Sequence, residues 1–157
     1  MLMTQCATIL GALLALAVAA PADAQPRIDL STRDALAWSH PHAADVLSTW
    51  TVVAAVATPC LQDRHWSCVR REGVRVAAAA ALAGFTKLLV QRERPDGSSD
   101  DSFYSMHTSI ACAASLGLKT WPLCPAVGYL RIAADKHWLT DVGTGAGVGA
   151  LLIKVRF

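Results

Sequence analysis

The chain has 157 residues, 54% apolar and 17% charged, with a formal net charge of +2. An ordinary soluble domain carries roughly 25% charged residues, so a disordered chain, a coiled coil and a basic nucleic-acid-binding tail are excluded, and no nucleic-acid partner is expected. The length leaves room for one domain, and the abundance of alanine, the strongest helix former, predicts an all-α protein.

Residues 1–24 read as an export signal. Ile9 to Ala20 is an uninterrupted apolar run, Pro21 breaks it, and Ala22-Asp23-Ala24 supplies the small-x-small site that a signal peptidase cuts after. An uncleaved membrane anchor is the alternative. Either outcome exports the domain over 25–157, into the periplasm or onto the periplasmic side of the inner membrane. Four cysteines then remain, Cys60, Cys68, Cys112 and Cys124. An even count in an oxidising compartment predicts two disulfides, with four buried thiols as the alternative. Pairing Cys60 with Cys68 and Cys112 with Cys124 closes the smallest loops, but three connectivities stay open.

In chain order, Gln25 to His42 reads as a polar lead-in holding Pro26 and Pro41, and Asp45 to Thr58 as a helix ending before Pro59. Leu61 to Glu72 is a charged connection. Gly73 to Arg92 is a second helix, stopped by Pro95, and Asp96 to Asp101 a turn-rich loop. A third helix runs over about 105–118, a short fourth follows Pro122 and Pro125 to about Ala133, and a fifth starts near His137. The expectation is a helical bundle of about five helices. The longest stretches after the signal that lack Asp, Glu, Lys and Arg are Val46–Gln62 and Ser102–Leu118, 17 residues each. Spanning a membrane takes about 20, so a soluble or membrane-facing bundle is favoured, with membrane association left open.

Three clusters carry chemistry. In the first, Lys87 and Arg94 stand seven residues apart, two helical turns, with Pro95 directly after. A fork-shaped guanidinium and a point-charge ammonium on one face can grip a divalent oxyanion. In the second, Ser105-Met106-His107 opens a helix, where backbone amides and the positive dipole end favour an anion. In the third, Arg131 precedes His137 by six residues, and Asp141 lies one turn beyond His137. A carboxylate there can fix the imidazole tautomer and free the other nitrogen as a nucleophile.

The ordered set, Lys87-x6-Arg94-Pro95, then Tyr104-Ser105-Met106-His107, then Leu130-Arg131-x5-His137-x3-Asp141, resembles the tripartite pattern of the type 2 phosphatidic acid phosphatase superfamily. That superfamily also holds bacterial acid phosphatases and vanadium haloperoxidases. The resemblance runs from about Gly73 to the C-terminus, and it implies that superfamily's helical-bundle fold and a metal-independent phosphatase. It implies that His137 attacks phosphorus to form a phosphohistidine, with Asp141 orienting it and His107 protonating the leaving oxygen. Lys87, Arg94 and Arg131 would clamp the phosphate, with the Ser105 hydroxyl and the Met106 amide as further donors. The implied substrates are phosphorylated small molecules, phospholipids or lipid pyrophosphates. No cofactor is implied, and vanadate is expected to inhibit. Three positions depart from the pattern: Tyr104, Met106 and Leu130 stand where it has proline, glycine and serine. The lost glycine and hydroxyl leave an impaired phosphate- or lipid-binding membrane protein as the alternative. A vanadate-dependent haloperoxidase is the weaker one, since those enzymes are much longer.

Two further patterns do not carry function. His40, His42, Asp45 and His65 follow no metal-ligand spacing. Gly143, Gly145, Gly147 and Gly149 follow no strand and lack the lysine of a phosphate loop; small residues four apart predict close helix packing instead.

Overall fold

The computed structural model describes residues 27–115 and 120–154; the export signal expected over 1–24 lies outside them. The described residues form six helices and no strands: α1 (Arg27–Leu36), α2 (Pro41–Asp63), α3 (Trp66–Leu89), α4 (Met106–Ser115), α5 (Leu123–Ala133) and α6 (Leu139–Lys154). The expected five helices are therefore one short, because the polar lead-in contains α1. Two others are longer than the sequence suggests. α2 starts on Pro41, a residue pre-set for the first helical position, continues through position 59 and ends where Arg64 turns left-handed. α3 begins at Trp66, seven residues before the expected start, because the His65 side chain caps it by accepting from the Ser67 amide.

α4 is the centre of the bundle and packs against α2, α3, α5 and α6. Seven of its ten residues, Thr108, Ser109, Ala111, Cys112, Ala113, Ala114 and Ser115, are buried. Side chains this small let four neighbours close on one axis. On one side the core is Ala79 and Ala83 of α3 with Phe103, Tyr104, Ala113, Val148 and Leu152. On the other, Ala55, Ala111 and Val127 join α2, α4 and α5. Both short-range disulfides are present: Cys60–Cys68 ties α2 to α3, and Cys112–Cys124 ties α4 to α5.

α6 lies close against α4. A Cβ on Gly145 would stand 2.5 Å from the Ser105 carbonyl oxygen, and one on Gly149 would stand 2.5 Å from that of Ser109. Gly143 and Gly147, on the opposite side of the same helix, face open space. The small-residue spacing thus does serve packing, at two of the four glycines. It draws together the starts of α4 and α6, where the Ser105 amide donates to the Asp141 carbonyl at 3.2 Å.

Pro41–Gln62 is long and apolar enough to cross a membrane by length and composition, and only 18% of its most apolar window is buried. Val46, Leu47, Trp50, Val53 and Leu61 stand exposed along it.

Gly149→Ala is expected to destabilise the protein by about 1–3 kcal/mol, the usual cost of overpacking a filled contact. Gly147→Ala, which meets nothing, should stabilise it by about 0.5–1 kcal/mol through helix propensity alone. Urea unfolding of the two variants beside the parent protein checks both.

Candidate active site

His137 lies in the connection between α5 and α6, 2% exposed. The amides of Lys136 and His137 both return to the Arg131 carbonyl, at 3.1 and 3.3 Å, which folds this connection onto the end of α5. Its Nδ1 stands 2.8 Å from the Ser102 carbonyl oxygen. A carbonyl can only accept, so Nδ1 carries the proton and Nε2 keeps the lone pair. Asp141 Oδ2 is 3.8 Å from Nδ1, outside hydrogen-bond reach. The carboxylate acts one step back. It accepts the Ser102 hydroxyl and, at 3.0 Å, the Trp138 amide at the start of α6. The direct orienting contact expected of Asp141 is thus made by the Ser102 backbone, with Asp141 holding Ser102.

The three cations expected to clamp a phosphate arrive from three segments. Lys87 is in the last turn of α3. The helix ends at Leu89, so Arg94 does not share its face; the residue before a proline is biased toward extended backbone, and Arg94 lies in the loop. Asp101 brings the two together instead. Its carbonyl accepts from Lys87 Nζ, and its carboxylate faces Arg94, with Nε at 2.8 Å and Nη2 at 3.1 Å. Arg131, at the end of α5, pairs through Nη1 with Asp45 and lies 3.2 Å from the Ser48 hydroxyl. Its Nε is buried with no acceptor among the described residues.

Ser105 precedes α4 and caps it, its Oγ accepting from the Thr108 amide at 3.4 Å and the Thr108 hydroxyl at 2.9 Å. Both bonds are accepted, which leaves the serine's own proton to donate. Met106 turns its side chain into the α3–α4–α6 core, so the bulk that replaces glycine is taken up by packing. Leu130 packs on Ala44, Ala133 and Ala134 with Trp38 and brings no hydroxyl. His107 is the second residue of α4 and mostly buried.

These groups share one electrostatic neighbourhood. Burial pushes the His107 imidazolium down to about 4, and the Arg131, His137 and Lys87 charges add to this against the opposition of Asp45. Burial likewise pushes His137 down to about 4, with Arg131 and Lys87 adding and Asp141 opposing. Burial of both rings therefore works against the coexistence of one neutral and one protonated histidine at mildly acidic pH that the ordinary value near 6.5 suggests. Burial also lowers Lys87, which Asp101 counteracts. Burial opposes ionisation of Asp101, yet the Ser99 hydroxyl, Lys87 and Arg94 outweigh it and hold the carboxyl at about 2.

The sequence reading brought out Lys87, Arg94, Ser105, Met106, His107, Arg131, His137 and Asp141. It gave no role at this site to Asp45, Ser48, Asp101 or Ser102, which hold those groups in place. Asp101 had one available signal, its position seven residues after Arg94 in an acidic loop. Among the described residues no three His, Cys, Asp or Glu side chains are grouped to hold a metal ion. No family model, curated protein or solved structure matches the chain.

Both histidines titrate lower when folded than their ordinary value, so between about 6.5 and about 4 the unfolded chain binds more protons. Stability is therefore full above that window and falls as the pH drops through it. Urea midpoints measured from pH 7.5 to 4 should decline, and His107→Asn should flatten the decline.

Proposed function

We propose that the chain is a metal-independent phosphatase that hydrolyses phosphate monoesters, lipid phosphates or lipid pyrophosphates through a phosphohistidine, on a bundle of the type 2 phosphatidic acid phosphatase kind. The observation that carries this reading is His137. It is a buried neutral imidazole whose Nδ1 proton is committed to the Ser102 carbonyl, so Nε2 holds the lone pair within the field of Lys87 and Arg131. The resemblance of the three clusters to that superfamily supports it.

The steps follow from these groups. Lys87, Arg94 and Arg131 offset the charge on the equatorial oxygens, where phosphoryl transfer places it. Nε2 of His137 forms a bond to phosphorus as the bond to the leaving oxygen breaks, and His107 gives that oxygen a proton. His107 then takes a proton from water, the water oxygen attacks the phosphohistidine, and inorganic phosphate leaves as the P–N bond breaks. A bound dianion supplies the negative charge that restores a proton to His107, since opposite charge favours the protonated form. Binding of substrate thus arms its own acid.

His137→Ala is expected to abolish turnover of an aryl phosphate and of a lipid phosphate assayed beside it, while the parent activity survives a chelator and is blocked by vanadate. Normal hydrolysis by that variant would falsify the nucleophile assignment, and loss on chelation would redirect the reading to a metallophosphatase.

A second reading, phosphate binding without turnover, is favoured by one observation: Asp101 and Asp45 already engage the clamp cations. An anion must displace or share these carboxylates. Asp101→Asn should tighten inhibition by inorganic phosphate by about tenfold, the worth of one charge-assisted hydrogen bond. In an active enzyme the same variant keeps measurable turnover; tight phosphate binding with no turnover in either protein favours the binding reading.

A further inference from the structure

The N-terminal helix is docked by charge. Asp29 is the only buried residue of α1, while its neighbours Ile28 and Leu30 stand exposed. Its Oδ1 accepts from the Thr140 amide at 2.9 Å, and its Oδ2 from the Thr140 hydroxyl at 2.7 Å. Thr140 is the second residue of α6, so Asp29 supplies from 111 positions away the acceptor that a capping residue normally provides. It also sets a negative charge at the positive end of that helix. Arg92 Nη2 meets Asp29 Oδ2 at 2.6 Å, and Nη1 of the same guanidinium meets Asp141 Oδ1 at 2.5 Å and the Thr140 hydroxyl at 2.7 Å. The cation lies 5.7 Å from the Trp138 ring centroid. One 13%-exposed arginine therefore bridges two carboxylates at 0% exposure, one from each end of the chain. Further along α1, Arg33 pairs with Asp135 at 3.1 Å, and just beyond its end the Trp38 amide donates to the Ala133 carbonyl at 3.1 Å. These contacts grip the connection that carries His137.

Resting on the phosphatase reading, we propose that Asp29 and Arg92 are positioning residues for the His137 imidazole. Neither makes the chemistry. Asp29 fixes Arg92 and the first turn of α6, Arg92 fixes Asp141, Asp141 holds the Ser102 hydroxyl, and the Ser102 carbonyl selects the tautomer of His137. The charged and titratable groups facing His137 are Asp141 from α6, Arg131 from α5, Lys87 from α3 and His107 from α4. α1 contributes none of these, so a change at Asp29 reaches the imidazole through the contacts that α1 makes with Arg92, Thr140 and the connection, and not by its own charge.

The test uses the full chain with Asp29→Asn. It reads aryl phosphate kinetics together with the nitrogen NMR signals of the His137 ring, which report which nitrogen carries the proton. The expected result is a fall in kcat of about tenfold to a hundredfold with KM within about twofold, the pattern of a reacting group misplaced by about an ångström. The Nδ1–H signature of His137 weakens alongside. Where Asp29→Asn does not fold, Arg92→Lys takes its place; it keeps the buried charge, cannot fork to both carboxylates, and should give the same pair of changes. A folded variant with the parent kcat and an unchanged His137 signature overturns the proposal, as does a loss of kcat that only tracks the unfolded fraction. If the parent protein itself hydrolyses nothing, the phosphatase reading fails, and the ring signature alone decides the positioning claim.

Discussion

The geometry depends on two backbones meeting with no side chain between them. At Gly145 and Gly149, α6 lies against the carbonyls of Ser105 and Ser109 so closely that a single added carbon has no place. Helix ends carry uncompensated backbone amides and a partial positive charge. Pressing α6 onto α4 sets two such ends side by side, one beginning at Met106 and the other at Leu139. His107 belongs to the first, and His137 stands two residues before the second. The nearness of these two helix starts is therefore a by-product of how thin the interface between the helices is, and an alanine-rich core is what makes that thinness possible.

Charge is managed by pairing inside this arrangement. Breaking a buried ion pair by removing one partner is expensive, because the other charge is left stranded. Lys87 and Arg94 share Asp101, Arg131 takes Asp45, and Arg92 takes both Asp29 and Asp141. The pairs differ in exposure. Asp29 and Asp141 are sealed, whereas the side chains of Asp101 and Asp45 are 45% and 35% exposed. The sealed set holds architecture, and the open set is reached by solvent.

Much of this was legible in the sequence, and the exceptions have physical causes. The alanine run from Val76 to Ala83 announces α3 through propensity, and the spacing of Lys87, Arg94, His107, Arg131, His137 and Asp141 picks out groups that the fold then gathers. α1 was not legible because its docking relies on one carboxylate and a partner at Thr140, and neither hydrophobic period nor composition encodes such a pair. The end of α3 was misplaced by three residues because Arg92 leaves the helix to reach Asp29 and Asp141, a demand made by distant residues. The group that fixes the His137 tautomer is a main-chain carbonyl, and main-chain atoms leave no mark on a sequence. The cysteine pairing needed coordinates, since loop size alone does not choose among three patterns.

The bond between Cys112 and Cys124 has a reach beyond its own loop. It fastens the helix whose second residue is His107 to the helix that carries Arg131 in its last turn, so these two side chains belong to a single covalent unit. Reduction of that bond would release the two helices from each other, with His107 on one and Arg131 on the other. The relative placement of these two side chains is in that sense coupled to the electron balance of the surroundings, through sulfur atoms buried between the helices.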